Sequence, residues 1–234
     1  MKRMERDIPA LMKEIRERIE LLESNLPARV DAAAVSLSAK LPFKALCYRE
    51  ALVWRFTEPC RSAFESYTDD KLASAILLTR AAVESAAAMW YLNVKIDQTI
   101  KAQSLGDIDN HLMRLLCGSR TDPAMPEAIN VLKFIDKAEK DVAGFRLQYD
   151  MLSECAHPNW AGTTLLYSKP DMERRQTDLG SGLRLSENVK LSGVINLSVA
   201  LMLFENVYNR TVDSVPAFIE LCERSLRQQA KGTV

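Results

Sequence analysis

Glycine, aromatic residues and net charge are all scarce in this chain of 234 residues. It contains only 8 glycines, its aromatic content is 7%, and 31 basic residues balance 31 acidic ones. The low glycine content excludes collagen-like and glycine-rich low-complexity chains, whereas an apolar content of 47% is sufficient for a folded core. Because the charges balance, we expect no strong generic attraction to nucleic acid or to acidic membranes.

Paired cysteines and long apolar runs are also missing. The five cysteines are odd in number, widely spaced and without a Cys-x-x-Cys pair; they are Cys47, Cys60, Cys117, Cys155 and Cys222. This pattern favours small buried side chains in a reducing compartment over disulfides or a zinc site. The N-terminal segment lacks a signal-peptide core, and the most apolar stretch, 191–204, is shorter than the ~20 residues of a membrane span. We therefore expect a soluble, cytoplasmic protein without metal or cofactor.

The N-terminal segment has the pattern of a charged helix. Within residues 1–26, apolar side chains recur every three or four positions, which predicts one helix with a narrow apolar stripe. Such a stripe packs on a single neighbour, either the same chain or a second copy. A weaker helix is predicted over 28–40, so that residues 1–40 form an N-terminal arm and residues 41–234 a bundle domain.

Helical periodicity continues through most of the remaining chain. It predicts helices over about 42–67, 70–103, 107–117, 126–157, 187–210 and 214–230. Pro59 would kink or divide the first of these, the cluster Thr68, Asp69 and Asp70 would cap the second, and Asp122-Pro123 would start the fourth, which Gly144 would loosen.

Residues 158–188 differ in composition from the helical segments. They combine three glycines, Pro170 and a charged cluster, and they predict an insertion with two short strands over 163–167 and 183–185. The fold class predicted from the whole chain is all-α: a bundle of six to eight helices with an N-terminal arm and a short hairpin or loop insertion.

The most apolar helix carries an isolated pair of charges. Arg80 and Glu84 are the only charged residues between Leu72 and Val94. A charge on such a central helix costs several kcal/mol unless it is paired or faces a wet pocket. Because the two residues are four apart, they share one helical face. The pair is therefore either a structural buried ion pair or part of a functional site.

A second set of polar residues lies on a later helix. Tyr149, Ser153 and His157 follow one another at intervals of four, and His157 directly precedes Pro158 at the helix C-terminus. The helix dipole there favours an imidazolium, so the set would suit a general acid or base with polar orienting groups. The alternative is a helix-ending histidine that bonds backbone carbonyls. The other histidine, His111, is expected on the surface, and two separated histidines do not make a metal site.

These two segments resemble a known family. LLTRAAVESAAAMWYL followed by YDMLSECAHPNWAG resembles a bacterial family of uncharacterised proteins near the HEPN superfamily of helical bundles, over about residues 45–165. Many HEPN proteins are RNA endonucleases of toxin–antitoxin and antiphage systems; others bind nucleotides or form scaffolds. The resemblance implies a helical bundle, dimerisation, and a site at Arg80, Glu84, Tyr149, Ser153 and His157. Nuclease members carry an Arg-x-x-x-x-His motif, in which Leu152 here replaces the arginine.

Two hypotheses of function follow. In the first, the chain is a metal-independent RNA endonuclease of a defence system, active as a homodimer, with His157 as acid–base residue and Arg80 steadying the phosphate. In the second, it is a non-catalytic binding or scaffold module whose polar residues form a buried network. The expected partners are a second copy, RNA or a nucleotide, and a partner protein bound through the arm, with no membrane.

Overall fold

The chain folds into a bundle of α-helices in a computed structural model that describes residues 8–181, 183 and 186–231. The helices are α1 (Ile8–Ser24), α2 (Ala32–Val35), α3 (Lys40–Thr68), α4 (Leu72–Ala102), α5 (Ile108–Cys117), α6 (Val131–Glu139), α7 (Phe145–Ala156), α8 (Leu165–Tyr167) and α9 (Ser186–Lys231), and the strands are β1 (Ser168–Asp171) and β2 (Gln176–Leu179). Seven helices in the described part of the chain have nine residues or more. The prediction of an all-α bundle is confirmed.

Helix α4 lies at the centre of the bundle. It contacts the long helices α3 and α9 and also α6 and α7, so that residues on nearly all of its faces are buried, among them Ala82, Met89 and Leu92. This position explains why its sequence carries so few charges. Beside it, α3 and α9 meet through Phe56 and Phe204, whose rings stack with centroids 3.9 Å apart.

Two long helices continue through internal prolines. Pro59 lies within α3, and Pro216 lies within α9. The predicted division of the last helical region between residues 210 and 214 is therefore wrong. A proline removes one backbone hydrogen bond from a helix, and the buried faces of α3 and α9 extend on both sides of each proline.

The predicted start signals of two helices are also wrong. Asp69 ends α3 as its C-cap, and Lys71 precedes α4 without a side-chain capping bond. Asp122-Pro123 lies in a turn, where the Asp122 carboxylate accepts from the backbone N–H of Ala124. The next helix begins only at Val131, after Asn130, whose side chain accepts from the backbone N–H of Leu132. The predicted interruption near Gly144 is confirmed, since α6 ends before it and α7 begins after it.

The insertion forms a hairpin, but with other strands than predicted. Strands β1 and β2 pair antiparallel with Ser168 opposite Leu179. Residues 163–167, predicted as the first strand, instead complete a π-helical turn (Trp160–Thr164) and form α8. Of the second predicted strand, residues 184 and 185 lie outside the described residues. The weak helix predicted over 28–40 is reduced to the single turn α2.

Helix α1 packs on its own bundle. The side chains of Ile15 and Ile19 are fully buried within the common hydrophobic core. Arg18 Nη1 lies 2.5 Å from Glu205 Oε2 on α9, so that a charge contact flanks the apolar stripe. The sequence left either the same chain or a second copy as the neighbour of this stripe. In the structure, the stripe packs on the same chain.

Two helices, Leu72–Ala102 and Asn188–Lys231, are long and apolar enough by length and composition to cross a membrane. Their most apolar windows are 61% and 50% buried inside the bundle. Core helices of soluble proteins share this composition, so the finding is weak evidence for a membrane span.

Candidate functional site

Arg80, Glu84 and Tyr149 form a closed set of three hydrogen bonds, here called the Arg–Glu–Tyr network. Glu84 Oε1 accepts from Arg80 Nε and from the Tyr149 hydroxyl, both at 3.1 Å. Arg80 Nη2 also donates to Tyr149 Oη at 3.1 Å, and the guanidinium carbon lies 5.3 Å from the centre of the tyrosine ring. The network therefore links α4 to α7 across 65 residues of sequence.

The network lies at the boundary between core and solvent. The Arg80 and Glu84 side chains are each 27% exposed, whereas Tyr149 is only 4% exposed. Partial burial disfavours the charged guanidinium, but the hydrogen bonds to Tyr149 and Glu84 and the negative charge of Glu84 outweigh it and raise the pKa of Arg80. The pair predicted from the sequence is thus neither sealed in the core nor free in solvent.

Ser153 and His157 do not join the network. His157 is the C-cap of α7, with extended backbone angles, and its side chain is exposed. Within the described residues its ring makes no hydrogen bond or ion pair, so the alternative of a histidine bonded to backbone carbonyls is not seen either. The Ser153 hydroxyl is buried, also without a hydrogen-bond partner in the described part of the chain. The structure thus brings together three of the five predicted residues.

The turn after His157 depends on a glycine. A Cβ at Gly162 would lie 1.9 Å from the backbone oxygen of His157 and 2.7 Å from that of Cys155. Asn159 caps this turn by accepting from the backbone N–H groups of Ala161 and Gly162. The end of α7 is therefore tightly built, although the His157 side chain makes no hydrogen bond to the network in the described structure.

His111 is not the surface residue that was expected. It is half-buried, and its Nδ1 lies 3.1 Å from the Tyr91 hydroxyl of α4. Burial first, and then the positive charge of Lys95, lower the pKa of His111, while Asp107 opposes them. The partial burial of His111 could have been predicted from the sequence, because His111 lies three residues after Ile108 and one before Leu112. Both are apolar, and both are buried in α5.

An open groove adjoins the network. It has a volume of about 350 Å³ and is formed by α3, α4, α5 and the start of α6. Its lining combines apolar residues with a few polar ones: Tyr48, Ala51, Leu52, Arg55, Glu84, Ser85, Ala88, Leu115, Leu116, Val131 and Phe134. Glu84 belongs to both the groove and the network. Arg55 and Tyr48 could not be predicted as site residues from the sequence, because the groove depends on how four helices are placed.

Among the described residues, no group of three or more His, Cys, Asp or Glu side chains is placed to hold a metal ion. No protein-family model, no curated protein and no solved structure matches this chain. The resemblance to HEPN proteins therefore stays a prediction. The structure itself is an all-α helical bundle in which a polar network lies beside a groove.

Proposed function

We propose that this chain is a non-catalytic helical binding module, in which the Arg–Glu–Tyr network holds α7 against α4 and fixes one wall of the groove. The observation that carries this proposal is the double role of Glu84. Its Oε1 accepts two hydrogen bonds from the network, and the same side chain lines the groove. A carboxylate held in one position beside an apolar cavity is typical of ligand sites.

The engagement of Arg80 favours binding over RNA cleavage. A ribonuclease would need this guanidinium for the phosphate, but Arg80 already donates to Glu84 and to Tyr149. The imidazole of His157, which would transfer the proton, makes no bond to either residue in the described structure. Both features support a network whose polar groups satisfy one another.

A double-mutant cycle tests the network. Glu84→Gln and Tyr149→Phe each remove part of it at nearly constant volume, and we expect each to lower the free energy of unfolding by about 1–2 kcal/mol. Because they share a hydrogen bond, the double variant should lose ~0.5–1 kcal/mol less than the sum. Urea unfolding measures these values. Tyr167→Phe, at an exposed tyrosine, is the control and should change stability by less than about 0.5 kcal/mol. Strictly additive losses would contradict the network.

An RNA cleavage assay tests the catalytic alternative directly. The wild type and His157→Ala are incubated with single-stranded and structured RNA, and circular dichroism checks that both are folded. A binding module should give no cleavage that depends on His157. Cleavage by the wild type that His157→Ala abolishes would replace the proposal with the ribonuclease hypothesis.

A further inference from the structure

We propose that the groove between α3, α4, α5 and α6 binds a small organic acid that carries an apolar ring and an N–H donor. This inference rests on the proposed binding function and names the chemical class of its ligand. It depends on three properties of the groove: its apolar walls, an unpaired cation and a carboxylate with one free oxygen.

The walls suit a single ring system. Leu52, Leu115 and Phe134 contribute apolar surface from three different helices, and an aromatic side chain among aliphatic ones favours a flat, apolar ligand. The volume of about 350 Å³ is at the lower end of the roughly 300–1,000 Å³ that is usual for small-molecule sites. The groove therefore has room for one ring system with a short chain.

The charge of the groove favours an anion. Arg55 lines it, is exposed, and has no hydrogen bond or ion pair within the described chain. Glu84, by contrast, is balanced by Arg80 at 3.1 Å. The sum over these three side chains is one positive charge, and it resides on Arg55. A guanidinium with no protein partner is well suited to bind a carboxylate through two parallel hydrogen bonds.

Two further polar groups define the other end of the ligand. Glu84 Oε2 accepts no hydrogen bond from the residues that the structure describes. Tyr48 also lines the groove, and its hydroxyl makes no hydrogen bond within the described chain. Burial raises the pKa of Tyr48, so its hydroxyl stays protonated and can donate. A ligand N–H pointing toward Glu84 would satisfy the free carboxylate oxygen.

Indole-3-propionate is a probe with all three features, and tryptamine replaces its carboxylate with a cation. Ligand-observed NMR titrations measure the affinity of each probe for the wild type and for three variants. Arg55→Gln removes the cation, Ala51→Trp fills the groove from an exposed position, and Arg175→Gln removes an exposed arginine from the hairpin turn, outside the groove lining.

We expect indole-3-propionate to bind the wild type and Arg175→Gln equally, to bind Arg55→Gln about tenfold more weakly, and to lose binding to Ala51→Trp. Tryptamine should bind the wild type more weakly than indole-3-propionate, and Arg55→Gln should not weaken it further. Equal affinity of indole-3-propionate for all four proteins, or no binding at millimolar concentration, would overturn the ligand class. If that happens while the double-mutant cycle still shows coupling, the network stands and only the ligand is wrong.

Discussion

At the scale of single residues, the two histidines of the chain differ in what surrounds them. His157 is exposed at the end of α7, whereas His111 is half-buried between α5 and α4. A neutral imidazole with its proton on Nε2 can accept a hydrogen bond from the Tyr91 hydroxyl at Nδ1, whereas a protonated imidazole has only donors. Burial and the charge of Lys95 act in the same direction and lower the pKa of His111. The fold therefore favours neutral His111.

This preference predicts a pH dependence of stability. Because the pKa of His111 in the folded state lies below its ordinary value of 6.5, the unfolded chain binds the proton more tightly. The stabilisation is complete above pH 6.5 and is lost as the pH falls through the folded pKa. Urea unfolding from about pH 7.5 to about pH 5 should show a steeper loss for the wild type than for His111→Gln. His157→Gln is the control and should keep the wild-type slope; an unchanged slope in His111→Gln would refute the assignment.

At the scale of helices, the sequence predicted a contact between residues four apart correctly, but it did not predict correctly which residues share a face over two turns or more. The four-residue spacing of Arg80 and Glu84 was enough to predict their contact. The same spacing failed for Tyr149, Ser153 and His157, because each step of four residues overshoots a helical turn by ~40°. Over two steps the face turns by ~80°, and His157 then leaves the helix with extended backbone angles.

Helix boundaries failed where a local signal competed with packing. The sequence predicted a division between residues 210 and 214, yet α9 continues through this region and through Pro216, since buried residues such as Phe204 and Phe218 lie on both sides. Asp122-Pro123 has the composition of a helix start, but its carboxylate closes a turn instead. The local sequence thus located residues that form turns or cap helices, whereas tertiary contacts determined where the helices ended.

At the scale of the whole molecule, the groove and the packing partner of α1 could not be predicted from the sequence, because both depend on how the helices assemble. The groove takes its lining from helices that are far apart in sequence, so no local pattern could indicate it. The amphipathic stripe of α1 was predictable, but its partner was not, because a narrow stripe fits a helix of the same chain or of a second copy equally well. In the structure, Ile15 and Ile19 belong to the same core as α3, α4 and α9.

Because α1 packs on its own bundle, we predict that a substitution in its buried face lowers the stability of the protein but leaves its mass in solution unchanged. Ile19→Ala should lower the free energy of unfolding by about 2–4 kcal/mol, because it leaves a cavity where α1 meets the core. Leu21→Ala, on the same helix but 62% exposed, is the control and should cost less than about 0.5 kcal/mol. Urea unfolding gives both values, and light scattering after size-exclusion chromatography gives the mass, which we expect both variants to share with the wild type. A lower mass for Leu21→Ala would mean that the exposed face of α1 binds a second copy, since Leu21 has little contact with its own bundle.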